Sequence, residues 1–244
     1  MSFILRLALW RKVHKYLGWI LLLQLLCWFG SGLVMSVLPI EQVRGEHLRK
    51  SFTAPDWSQA ISPATLAKQH PAYQFRLSQQ GNIPLYHFSN AEQHFYYSAL
   101  TGEELPALNQ QQVKELARLQ YQGKAEIIQV QQLQQLPFEV RHLTPPIWRV
   151  QFADEQASSF YLEEHTGALL SVRTNNWRIF DFVWMLHIMD YQDREDFNHP
   201  LLIAFSATAL FFTLSGAVLL PWRRRKVSAY NRDKAIPTNN SRPL

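Results

Sequence analysis

The chain has 244 residues, a net charge of +5 and a single cysteine, with apolar residues making up 47% of the whole. One cysteine excludes a disulfide framework, a CxxC centre and a zinc–cysteine site. Eight cations crowd the two apolar segments (Arg6, Arg11, Lys12, Lys15, Arg223, Arg224, Arg225 and Lys226), exceed the whole charge excess, and leave no basic patch for nucleic acid.

Residues 1–15 read as a short amphipathic segment ending in the basic stretch "RKVHK". Residues 16–38, "YLGWILLLQLLCWFGSGLVMSVL", carry no charge and only Gln24 as a strongly polar side chain. Residues 200–222, "PLLIAFSATALFFTLSGAVLLPW", are also uncharged. A hydrocarbon core needs about 20 helical residues, so each segment is long enough to span it. The first run is longer than the apolar part of a signal peptide and is expected to remain as an anchor. Basic residues outside both spans predict that both termini are cytoplasmic, with the intervening region outside. Gly30, Ser31 and Gly32, and Ser206, Ala209, Ser215 and Gly216, suit close helix contact. Pro39 and Pro221 mark the exits, and Cys27 is a small packing residue.

Residues 39–61 are a polar connector with no core stripe. From 62 the pattern becomes regular. "SPATLAKQH" predicts a short helix with Ser62 as N-cap, followed by strand-like "YQFRLS", "IPLYHFS" and "HFYYSAL" and a turn at Thr101-Gly102. The plan then recurs. "NQQQVKELARLQYQ" is helical with Val113, Leu116, Ala117 and Gln120 on one face, and "AEIIQV", "IWRVQF" and "SFYLEE" lead to Thr166-Gly167. Two half-repeats, 62–105 and 109–170, make 62–176 an α+β module in which helices cover one face of an antiparallel meander. The ten glutamines between 110 and 135 fit a solvated helix and loop surface.

Residues 177–199 begin with "WRIFDFVWMLHIMDY", too short and too polar to cross a bilayer. They are expected to form an interfacial helix and an acidic turn. The turn, "DYQDREDFNHP", suits either a hard cation or, better, a solvated capping role. Residues 223–244 form a basic tail.

The chain resembles PepSY-domain proteins with PepSY-associated transmembrane helices. The resemblance is carried by "WRKVHKYLGWILLLQLLCWFGSGLVM", by the half-repeat endings "YYSALTGEEL" and "FYLEEHTGALL", and by "LSGAVLLPWRRR". It implies a two-pass protein of the bacterial inner membrane with a periplasmic PepSY-like module. It also implies either of two functions. One is an accessory or haem b-bearing subunit of membrane electron transfer, linked to iron or siderophore reduction. The other is a non-catalytic module that senses or inhibits a peptidase at the outer face, or a structural subunit. With two spans, one copy lacks a complete electron path, so a redox partner, another membrane protein or a homodimer is expected beside the lipid bilayer.

Nine histidines bear on that choice. His70, His87, His94, His142 and His165 lie in the module without HxH or HExxH spacing, and no metal site is expected there. His14, His47, His187 and His199 lie near the span boundaries and are the candidate haem ligands. Asp190, three residues past His187, is positioned on a helix to brace its second ring nitrogen. The alternative is that His187 and Asp190 dock the module on the membrane, and that His14 faces headgroups. No Ser-His-Asp order, phosphate loop or dinucleotide fingerprint is present, so the chain is expected to need a partner for any ferric-reductase-like chemistry.

Overall fold

The computed structural model describes residues 3–70 and 73–234; of the tail expected at 223–244, residues 223–234 continue a helix and 235–244 lie outside the described residues. Two compact units result. The first takes in the chain up to Val37 and again from Asp181; the second is Leu38–Phe180.

The first unit rests on two long helices, α1 (Phe3–Val37) and α6 (Pro200–Lys234), packed against each other. The basic entry and the first apolar run form one unbroken helix. Within them, Ala8–Val37 and Pro200–Leu220 are long and apolar enough to cross a membrane. Their large side chains point outward: Leu23 and Phe29 are each 74% exposed, and Leu220 is 69% exposed. A soluble core helix of this composition would bury those groups. Only Leu21, Ser31 and Ser215 among the described residues of these two helices are fully enclosed.

The second unit is α+β, as the alternating pattern indicates. Its first half carries α3 (Ala64–Ala67) and a sheet in the order β1 (Gln74–Gln80), β2 (Ile83–Ser89), β3 (His94–Ser98). Its second half carries α4 (Gln110–Gln120) and a sheet in the order β4 (Ile127–Leu133), β5 (Ile147–Phe152), β6 (Ser159–Glu163), β7 (Leu169–Arg173). All neighbours are antiparallel. Helix α4 is capped by Asn109, whose side chain accepts from Gln112 N while Gln112 returns a bond to Asn109 N. Val113 and Ala117 of α4 pack into the larger core with Tyr121, Val150, Phe152, Phe160 and Leu162. Gln120 is buried too; it donates to Gly167 O at 2.8 Å and accepts from Leu169 N, fastening α4 to the β6–β7 turn.

The half-repeats close with the same backbone device. Ser98 N donates to Glu103 O and Gly102 N to Ser98 O; likewise Glu163 N donates to Ala168 O and Gly167 N to Glu163 O. Gly102 and Gly167 sit at φ 75° and 65°, a conformation that favours glycine. The leading side chain of each turn, Ser98 or Glu163, accepts backbone N–H groups two and three residues on.

The connector is more ordered than its polarity suggests. It holds α2 (Ile40–Val43) and a 3-10 turn at Glu46–Leu48, with Val43 buried and Gly45 lying against Val172. Helix α5 (Asn175–Ile188) runs through the division between the units and ends at Met189, φ 60°.

Candidate functional site: two histidine–serine pairs

Four boundary histidines were expected to matter, and two of them share one local design. His14 of α1 places Nδ1 2.7 Å from Ser215 Oγ on α6. Ser215 is 1% exposed, and its hydroxyl donates to Phe212 O at 2.7 Å. A hydroxyl has one proton, so with that proton on the carbonyl, Ser215 accepts from His14 Nδ1–H. In a neutral ring this places the lone pair on His14 Nε2. The close approach is permitted by glycine: a Cβ on Gly216 would stand 3.1 Å from His14 Cε1, and one on Gly18 3.2 Å from Phe212. The Phe212 ring stacks on the imidazole at 4.3 Å and 3°. His14, Lys15, Gly18, Trp19, Leu22 and Phe212 line a shallow groove of about 320 Å³.

The second pair repeats the hydrogen bonds. His187, at the end of α5, places Nδ1 3.0 Å from Ser31 Oγ on α1. Ser31 is 4% exposed and donates to Trp28 O at 3.1 Å, so it too accepts from the histidine and leaves Nε2 with a lone pair. Gly32 lies under the ring, 3.7 Å from its Cε1 to an added Cβ. Gln24, the polar exception in the first span, donates to Leu186 O at 3.4 Å and ties α5 to α1. Trp28 Nε1 is buried without a hydrogen-bond partner among the described residues.

Each pair is thus a Ser-Gly step on one helix receiving a histidine from another. His14 and Ser31 are separated along α1 by about 25 Å at 1.5 Å per residue, so the pairs sit near opposite ends of the apolar length.

No family model, curated protein or solved structure matches the chain. The chemistry of the pairs is therefore read from their own geometry. A neutral imidazole with Nδ1–H held by a hydroxyl and Nε2 free is the form that ligates metals, and the hydroxyl fixes both tautomer and ring orientation. The donor set fits a haem iron, which takes imidazole as an axial ligand.

The remaining candidates stand apart. Asp190 does not brace His187. It is 4% exposed, and its two carboxylate oxygens accept four backbone N–H groups, from Gln192, Asp193, Glu195 and Asp196. Burial alone would raise its pKa, but the four donors outweigh it and hold the carboxyl at about 2. This carboxylate organises the acidic turn, which is also held by the Arg194–Asp181 ion pair and by Trp184 Nε1 donating to Arg194 O. His199 accepts from Leu201 N at 3.3 Å and caps α6. His47 is exposed on the 3-10 turn of the second unit.

The module histidines are less scattered than their spacing suggests. His70 packs among Phe88, Phe95, Tyr73 and Tyr97, with Nε2 2.9 Å from Tyr97 Oη. His87, His94, His142 and His165 all line one cleft of about 440 Å³ where the two half-repeats meet. The signal for this lies in strand parity: in the β2–β3 register His87 pairs with Tyr96 and Ser89 with His94, so His87 and His94 share a face.

Proposed function

We propose that the chain is a two-span protein of the bacterial inner membrane, of the PepSY kind, with both termini cytoplasmic and the module periplasmic. In this reading it carries haem b as a subunit of membrane electron transfer that serves iron or siderophore reduction. The observation that supports it is the duplicated His–Ser pair, with Nδ1–H consumed and Nε2 free near each end of the apolar helices. An axial ligand would gain a fixed tautomer and ring orientation from such an arrangement, in addition to the interhelical contact it makes. The positive flanks of both spans support the orientation.

His14 and His187 would each hold an iron from one side. Bound there, haem supplies a one-electron carrier. The chain's own residues do the rest: Ser215 and Ser31 hold the imidazoles, and Gly216 makes room for His14. One copy offers one such histidine at each depth, so a second protein ligand would have to be supplied by a second copy or a redox partner.

The test is optical. Protein purified in mild detergent should show a Soret band that shifts on reduction, and His14→Ala and His187→Ala should each diminish it. A colourless protein that takes up no added haem would overturn the reading and leave these histidines as docking residues.

A further inference from the structure

The cleft between the half-repeats holds a second constellation that the haem reading does not use. His87 sits on β2 and His94 at the start of β3, diagonal neighbours on one face of the hairpin. The opposite face of the same strands, Tyr86, Phe88 and Tyr97, is spent on the small aromatic core around Leu66. His87 Nε2 lies 3.0 Å from His94 Nδ1. Two nitrogens bound to one ion at about 2.0–2.1 Å stand about 2.9 Å apart at right angles and about 3.4 Å apart in a tetrahedron. The pair is therefore already at ligand-to-ligand spacing, with a single proton between the two lone pairs.

The surroundings favour replacing that proton by a cation. His87 stacks on Tyr96 at 4.2 Å and 3°, and Tyr96 stacks on His165 at 4.6 Å, so ring orientation is fixed from one side. Glu163 and Glu164 give the cleft wall negative charge. Glu163 is held ionised by Thr166 and His165, and its field acts directly on His87. Among the described residues no three His, Cys, Asp or Glu side chains are grouped for a metal, so the chain offers two donors and any further ligands would come from outside it.

We propose that His87 and His94 form a two-imidazole site for a divalent transition metal of the zinc or copper class, with its free coordination positions facing the cleft. Imidazole donors select such ions over magnesium and calcium, and copper binds the more tightly of the two. Water fills the open positions, or an oxygen or nitrogen donor brought in by a molecule entering the cleft. The site is independent of the haem reading, since both ligands belong to the module.

The experiment uses the full chain in detergent, free of any histidine tag, titrated separately with Zn²⁺ and Cu²⁺ against a competing chelator dye. One equivalent of high-affinity binding is expected, with a Cu²⁺ resonance spectrum split by two imidazole nitrogens. His94→Ala, at an exposed position, should weaken binding by at least about tenfold and reduce the splitting to one nitrogen. His87→Gln should do the same, and His47→Ala, an exposed histidine on the connector, should leave both readouts in place. Circular dichroism identical to the parent shows that the fold survives. Absence of stoichiometric binding, or binding that persists in both variants, would overturn the proposal. Equal loss in His47→Ala would also count against it.

Discussion

Ser31 Oγ and His187 Nδ1 meet at 3.0 Å across 156 positions of sequence, and Ser215 Oγ and His14 Nδ1 meet at 2.7 Å across 201. In both cases the serine is followed by a glycine, and its hydroxyl donates three residues back along its own helix. The same hydrogen-bond count at both ends turns two isolated contacts into one repeated device.

Removing the hydroxyl separates the hydrogen bond from the ligand. Ser31→Ala and Ser215→Ala keep the imidazoles but release their tautomer and orientation. Partners of this kind are worth about 10–100-fold in the affinity of the bound group. In the proposed haem-bearing form, each variant should lose haem during dilution faster than the parent, and the double variant should lose it fastest. Full Soret intensity retained in both single variants would sink the idea that the serines hold the ligands.

Glycine substitutions test the packing side of the device. A Cβ at Gly216 meets His14 Cε1 at 3.1 Å, whereas nothing lies within 4 Å of one at Gly30. Gly216→Val should overpack the α1–α6 contact at a cost of about 1–3 kcal/mol. Gly30→Ala should be silent or slightly stabilising, since alanine is the better helix former. Thermal unfolding in detergent, followed by near-ultraviolet circular dichroism, checks the contrast; equal effects at both positions would refute it.

The turns that end the half-repeats predict a matched pair of lesions. Gly167 has φ 65° and a Cβ there would meet Leu116 Cδ1 at 2.5 Å; Gly102 has φ 75° and would meet Ile61 Cδ1 at 2.7 Å. Alanine pays about 1–2 kcal/mol for the left-handed backbone alone, and the contacts add to it. Both Gly102→Ala and Gly167→Ala should destabilise the module, the second more, because Leu116 belongs to the larger core. Limited proteolysis of the two variants, at equal temperature, should expose the module faster than in the parent.

Those turns were legible from "ALTGEEL" and "HTGALL" because a Thr-Gly step after an alternating run has few local solutions. The strands and α4 were legible for the same reason, since their apolar periods match the faces they bury. The His–Ser pairs were not, because they join residues that no local period relates. What the sequence carried was the Ser-Gly step itself, present once in each apolar segment as a contact surface without its partner. The bracing expected from Asp190 failed on a different ground. Met189 leaves the helical backbone, so the spacing that relates His187 to Asp190 on a helix no longer applies. Asp190 is then drawn to the unpaired N–H groups of the turn that follows. The proximity of His87 to His94 needed only the hairpin register, which the length of the loop between the strands determines.

Glu163 gives the module a defined acid sensitivity. Burial would raise its pKa, but donors from His165 and Thr166 bring it down from 4.5 to about 2. Thr166 contributes its backbone N–H and its hydroxyl, each at 2.6 Å, and His165 N donates at 3.0 Å. With the folded value below the unfolded one, the stabilisation is present above about pH 4.5 and is lost as pH falls toward 2. Its size is about 2 kcal/mol once solvent screening of a side chain that is 28% exposed is allowed for. His165 works in the opposite sense. Its pKa is raised, first by the bond to Glu163, so its share is present below about 6.5 and is lost as pH rises through the raised value. Glu163→Gln should remove the acid slope and reduce the other, leaving a variant less stable near neutrality and flatter both below about pH 4.5 and above about pH 6.5. Thr166→Val should weaken only the acid limb. Unfolding midpoints measured across that range decide it: a parent profile no steeper than that of Glu163→Gln would show that the carboxylate is not held by these donors.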